Sequence, residues 1–229
     1  MEIFKTTANK KVGYTLAEVL IVLVIIGVVA ALVITALVAN TQKTQFVTGL
    51  QKANNILASA ANHAQAESIM DTWNFALSSE EFTNTYLAKH LNIVKVCEDK
   101  AGCLADSYTT LGENAGPDIE DYYKFILTDG IAMGIKSAGE GGCTSTNPSV
   151  CATIVVDVNS TQGPNQWGKD LFAFNIYGGL NTIVPSGSFL LDDTGKWKTR
   201  EASEIDTNCL STGEYCAAKI ANEGWEMNY

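Results

Sequence analysis

The stretch from Leu16 to Ala39 reads LAEVLIVLVIIGVVAALVITALVA. Of its 24 residues only Glu18 and Thr35 are clearly polar. As a helix it spans about 36 Å at ~1.5 Å per residue, more than a hydrocarbon core of roughly 30 Å. A removable secretory core is shorter, about 7–15 residues; Val29-Ala30-Ala31 is where that rival reading places its cut. Ahead of the span stand Lys5, Lys10 and Lys11 against one acid, Glu2, and just behind it only Lys43 is near. Positive flanks stay in the cytoplasm, so the N-terminus is expected inside and the remaining chain exported. All six cysteines fall in that exported part, where an even set reads as disulfides.

The head of the span, Lys10-Lys11-Val12-Gly13-Tyr14-Thr15-Leu16-Ala17-Glu18-Val19-Leu20, resembles the class III signal of type IV prepilins and type II secretion pseudopilins. The shared features are a short basic leader, a Gly, an aromatic residue, a Glu five residues into the mature chain and an uninterrupted apolar helix. The resemblance covers residues 1–67 and loosens beyond. It implies cleavage between Gly13 and Tyr14 by a membrane prepilin peptidase, then N-methylation of Tyr14, which stands where the family usually has Phe. It also implies an α+β fold, a long N-terminal helix packed on a small antiparallel sheet. The implied partners are other pilins or pseudopilins and an inner-membrane assembly platform, and the implied product is a pilus or a secretion pseudopilus. Many type IV pilins carry Pro where this chain has Thr35, so nothing here forces the kink a mid-helix Pro imposes.

Each of these residues also has a physical role. Gly13 leaves the backbone free to lie extended in a protease cleft. Lys10 and Lys11 hold the leader at the anionic cytoplasmic face. Glu18 is an acid inside an apolar span, and such residues are functional by default. One reading is a boundary side chain reaching for headgroups. The other is an ion pair with the new α-amine on Tyr14 of a neighbouring subunit, which explains why the leader must go first: cleavage creates the cation.

The 229 residues are 46% apolar and 17% charged, with a net charge of −10. That excludes a disordered chain, a collagen and a polytopic membrane protein, and argues against general nucleic-acid binding. Loss of residues 1–13 removes three Lys and one Glu and leaves the mature chain at −12. Past the span, Phe46, Leu50, Ala53, Leu57, Ala60 and Ala64 recur in steps of four and three, an apolar stripe at helical period. The expected organisation is a leader over 1–13, a membrane and assembly helix over 14–39, its amphipathic continuation over 40–67, and an exported β-rich domain over 68–229.

Within that domain, Ser78 to Glu81 has the pattern of a capping box opening a short helix, and 98–119 reads as loop. Tyr122–Leu127 and Ile131–Ile135 flank Thr128-Asp129-Gly130, a hairpin signal. Ala152–Val158 and Leu171–Tyr177 read as the next strands, with short edge strands at Thr182–Val184 and Phe189–Leu191. The tail after Arg200 is expected to be irregular and held by cysteines. Its last residues, 224–229, read as an edge strand or a docking segment.

The cysteines fall in three close couples, Cys97/Cys103, Cys143/Cys151 and Cys209/Cys216. Six cysteines allow 15 connectivities; sequential pairing is expected because each couple lies within one loop, with pairing across loops the alternative. Zinc is disfavoured, since no Cys-x-x-Cys exists and only His63 and His90 are at hand. Asp157, Asn159, Thr161 and Asp170 lie on an oxygen-rich connection between two strands. They could gather around Ca²⁺, which takes 6–8 oxygens, and some pseudopilins hold calcium in such a loop. The competing and preferred reading is a loop whose Asx side chains cap their own backbone. No nucleophile elbow, P-loop or His-Glu-x-x-His is present, and no catalytic residue is expected. Two other functions remain open: a monomeric signal-anchored binding domain, and a DNA-uptake pilin using a patch such as Lys196, Lys198 and Arg200, which otherwise reads as a solvated turn.

Overall fold

The computed structural model describes residues 13–139, 143 and 149–229. The chain divides at Gln42/Lys43 into two compact units. Helix α1, Leu16–Glu67, runs through 52 residues. No Pro interrupts it, and Gly27 is the one glycine in its apolar half.

In the first unit the large apolar side chains of α1 from Val19 to Val38 are exposed on every side. A helix apolar all round has no polar face to show to water and is stable among lipid or other helices. Leu16–Ile34 is long and apolar enough to cross a membrane.

In the second unit α1 changes character. Phe46, Leu50, Ala53, Leu57, Ala60 and Ala64 are all buried, on one stripe, against a six-stranded sheet. Its strands are β1 (Ile93–Glu98), β2 (Tyr123–Leu127), β3 (Ala132–Ser137), β4 (Val150–Asp157), β5 (Leu171–Tyr177) and β6 (Ile183–Pro185). They lie in sequence order, each antiparallel to the next. Because side chains alternate along a strand, Met133, Ile135, Ile154, Val156, Phe172 and Phe174 join the core under α1. Ala132, Val155 and Leu171 point the other way, into a second apolar layer built by Leu104, Tyr108, Ile119 and Tyr122. The β2–β3 turn closes through Leu127 N–H to the Ile131 carbonyl at 2.9 Å, with Gly130 at φ 84°.

The capping box forms: Ser78 Oγ accepts from Glu81 N–H at 3.2 Å, and Ser78 N–H donates to Glu81 Oε2 at 3.4 Å. It opens α2 (Ser79–Phe82), which runs on through a π-helical turn, Thr83–Leu87, and a 3₁₀ turn, Ala88–His90. Trp73, Phe75, Phe82 and Tyr86 cluster in this segment, with ring centroids 4.8–6.4 Å apart.

Several expectations need correction. Ile93–Glu98, to which the sequence pattern assigns no element, is a strand. Its β-branched residues were a signal, but bulges between Ile93 and Lys95 and between Val96 and Glu98 break the alternation that reveals a strand. Phe189–Leu191 (β7) is not an edge of the main sheet; it pairs with Trp197–Thr199 (β8) in a separate two-stranded ribbon. The Lys196–Arg200 cluster therefore lies on a strand and its ends. The tail after Arg200 is not irregular but forms two helices, α3 (Ala202–Thr212) and α4 (Cys216–Asn222). Alpha-3 buries only Ile205 and Cys209 and shows Ser, Thr and Asn elsewhere, which masks its period in the sequence. Gly213, at φ 88°, ends it by donating to the Cys209 carbonyl. Residues 224–229 form no strand but dock on their own domain: Met227 is buried, Tyr229 Oη donates to the Gly168 carbonyl at 2.5 Å, and Lys43 Nζ donates to the Tyr229 carbonyl at 2.5 Å.

Candidate processing and assembly site

Gly13, Tyr14 and Thr15 precede the helix in non-helical backbone. Nothing crowds Gly13, where the space a Cβ would take is open, and Tyr14 is 84% exposed. The bond between them therefore lies on accessible chain. Lys10 and Lys11 lie outside the described residues.

Thr15 and Glu18 make a reciprocal pair. Glu18 Oε2 accepts from Thr15 N–H and from Thr15 Oγ1–H, both at 2.9 Å, and Glu18 N–H donates to Thr15 Oγ1 at 3.3 Å. This is a capping box, which satisfies helix N–H groups that have no partner within the helix. It is also well placed electrostatically, since the helix N-terminus carries partial positive charge. The sequence pattern could have shown this cap, since Thr-x-x-Glu ahead of an apolar run is the signature of the box. The box fixes the Glu18 carboxylate at the helix start, three residues from Thr15 and four from Tyr14.

The Asp157–Asp170 connection is closed by its own backbone. Asp157 is fully buried; its Oδ2 accepts from Tyr108 Oη–H at 2.6 Å and its Oδ1 from Asn159 N–H at 3.0 Å. Asp170, also fully buried, accepts from Asn165 N–H and Gln166 N–H, both at 2.7 Å. Burial pushes the Asp157 carboxyl up to about 7 against the pull of these donors, and burial raises Asp170 as well. Tyr108 is driven up by its own burial and by the Asp157 charge. Asn159 Oδ1 and Asn165 Oδ1 are buried without a donor, while Thr161 is exposed. Each carboxylate thus faces backbone or phenol donors, and among the described residues no three His, Cys, Asp or Glu side chains gather as metal ligands.

The structure joins Cys97 to Cys103, Cys143 to Cys151 and Cys209 to Cys216. The first ties the end of β1 to the loop after it, the second holds Cys143 to β4, and the third bridges α3 and α4. Lys219 strengthens that last hairpin, reaching Asp206 on α3 at 2.7 Å and Glu223 at 2.5 Å.

No curated protein and no solved structure matches the sequence. Residues 9–38 match the family model of the prokaryotic N-terminal methylation motif. The matched segment contains Gly13, Tyr14, Thr15 and Glu18, the residues that shape the start of α1. The chain carries the prepilin-type cleavage and methylation signal on a long apolar helix ahead of a pilin-like α+β domain, the arrangement of a type IV pilin- or pseudopilin-like precursor.

Proposed function

We propose that this chain is a structural subunit, cut between Gly13 and Tyr14 by prepilin peptidase, methylated on Tyr14 and polymerised into a type IV pilus or a type II secretion pseudopilus. The match over residues 9–38 carries the reading. The lysines of the leader keep the N-terminus at the cytoplasmic face of the inner membrane, and the domain after α1 is extracytoplasmic. Assembly transfers the apolar surface of residues 16–39 from lipid to neighbouring helices. Glu18 of one subunit meets the new α-amine of another and sets the axial register, as a buried polar pair can. Motor chemistry belongs to an assembly machine that acts through a membrane platform, so the subunit is not an enzyme.

Intact mass of the protein from its native membrane tests the first step: the expected species lacks residues 1–13 and carries one extra methyl group. Deleting Lys10 through Gly13 is expected to leave a membrane protein that never assembles; filaments from that variant sink the processing argument. Glu18→Ala is expected to abolish or disorder filaments seen by electron microscopy. Ordinary filaments from Glu18→Ala remove the register role, and a processed subunit that never leaves the monomer state replaces the filament by a signal-anchored binding domain.

The same proposal gives the Asp157–Asp170 loop a folding role, supported by its internal hydrogen bonds. A melting temperature that moves by less than a degree or so between millimolar calcium and EDTA agrees with it. A calcium-dependent rise of many degrees makes the loop a cation site.

A further inference from the structure

The chain has two histidines, and the fold brings them together from 27 positions apart. His63 lies on α1 and His90 ends the 3₁₀ turn before β1, and their rings stack with centroids 5.9 Å apart. Glu67 lies one helical turn after His63 on the same face of α1, with Oε1 3.4 Å from His90 Nε2. Its other oxygen holds the ammonium of Lys89, the neighbour of His90. The side chain of His90 is 14% exposed, and its Nε2 is buried without a hydrogen bond.

We propose that His63, Glu67, Lys89 and His90 form an acid-sensitive latch that holds the segment from Met70 to His90 against the end of α1. With both rings neutral, the stack is a flat contact beside one complete ion pair. Protonating the rings places two imidazolium charges about 6 Å apart next to the Lys89 ammonium, with a single carboxylate among three cations. At that spacing like charges repel even through a high effective dielectric. The other holds on this segment include no histidine: among them are the buried Met70, Trp73, Phe75, Phe82 and Leu87, the Trp73 Nε1–H bond to the Ser68 carbonyl at 3.0 Å, the Ser137 Oγ–H and Gly139 N–H bonds to the Phe75 carbonyl at 2.5 and 3.0 Å, and the Asn181 Nδ2–H bond to Asp71 Oδ2 at 3.3 Å. Lys52 and Asp129, which line the groove beside His90, already pair with each other at 2.8 Å and add no net charge.

The titration of His90 runs the same way. Burial first, then the charges of Lys89 and His63, hold its imidazole below the ordinary value of 6.5. The close approach of Glu67 does not reverse this, because that carboxylate is half exposed and is already neutralised by Lys89. A folded-state value below the unfolded one means that the folded chain prefers the neutral ring. The stabilisation is therefore complete above pH 6.5 and is lost as pH falls from there through the folded value.

The test is hydrogen exchange on the full-length protein in detergent at pH 7.5 and 5.0, corrected for intrinsic exchange, with a proton NMR titration of both rings. Histidine signals are assigned from His63→Gln and His90→Gln. Amides of residues 70–91 are expected to lose protection several-fold at pH 5.0 while those of β3 and β4 do not. His90→Gln is expected to remove that difference, and His63→Gln to shrink it. If His90→Gln misfolds by circular dichroism, the wild-type exchange pattern and the His63→Gln comparison still decide. Equal protection at the two pH values, or a His90 that titrates above 6.5, overturns the latch.

Discussion

Gly49 on α1 sits against the residue that follows β4: a Cβ built there stands 2.8 Å from Val158 Cβ. The obstacle is the rigid root of a β-branched side chain, so it cannot swing away. Gly→Val raises helix propensity by a few tenths of a kcal/mol, but overpacking costs about 1–3 kcal/mol. Gly49→Val is therefore expected to lower the urea midpoint, with a net loss of roughly 2 kcal/mol. Tyr108 decides a second contact. Its hydroxyl donates to Asp157 and accepts from Ala105 N–H at 3.1 Å, so one group satisfies a buried acid and a buried amide. Tyr108→Phe strands the amide and removes the donor on Asp157 Oδ2, and is expected to cost about 1–3 kcal/mol by the same measurement.

Among the elements, the α3–α4 hairpin depends most on covalent help. It buries few residues of its own, Ile205 and Cys209 on α3 and the Cys216–Ile220 run on α4. Its turn is wedged tightly against the 160s loop, with Gly213 so near Trp167 and Gly168 that no side chain fits at that position. The Cys209–Cys216 bond restricts the unfolded hairpin by roughly 2–3 kcal/mol on the chain-entropy model. Cys209→Ser with Cys216→Ser is expected to lower the unfolding free energy from urea titration by roughly 2–3 kcal/mol and to make α3 and α4 the first amides to exchange. The Lys219–Asp206 ion pair limits the loss, because it spans the same two helices.

For the molecule as a whole, the two buried aspartates couple stability to pH. Burial lifts Asp157 from an ordinary 3.8 to about 7, so the folded state holds its proton more tightly than the unfolded chain does. That contribution is complete below the ordinary value and is lost as pH rises from there to about 7. Asp157→Asn removes the titration and keeps an acceptor for Tyr108. The midpoint of the variant relative to wild type is expected to rise from pH 5 to about pH 7 and to level off above it. A difference that stays level across that window means Asp157 is charged throughout. The comparison between variant and wild type matters because the histidine latch acts in the opposite direction on acidification.

The first 40 residues were legible because their physics is local. An apolar run long enough to span a bilayer, with lysines on one side and an acid at its start, requires no tertiary partner to be understood, and the signal at residues 9–38 covers the head of that run and nearly all of the run itself. The amphipathic stripe from Phe46 to Ala64 was legible for a related reason, since it repeats its period against a single buried face, and β2 to β5 were legible as short apolar runs that the structure buries on both faces. What only the tertiary structure decided lacks such a period. The β1 strand is broken by bulges, α3 keeps just two buried residues, and β8 is three residues long and pairs with β7. The functional details depend on distance in space for the same reason. Thr15 closing on Glu18 follows a sequence pattern, but Tyr108 reaching Asp157 across 49 positions and His63 meeting His90 across 27 follow only from the packing of α1, the sheet and the loops between them.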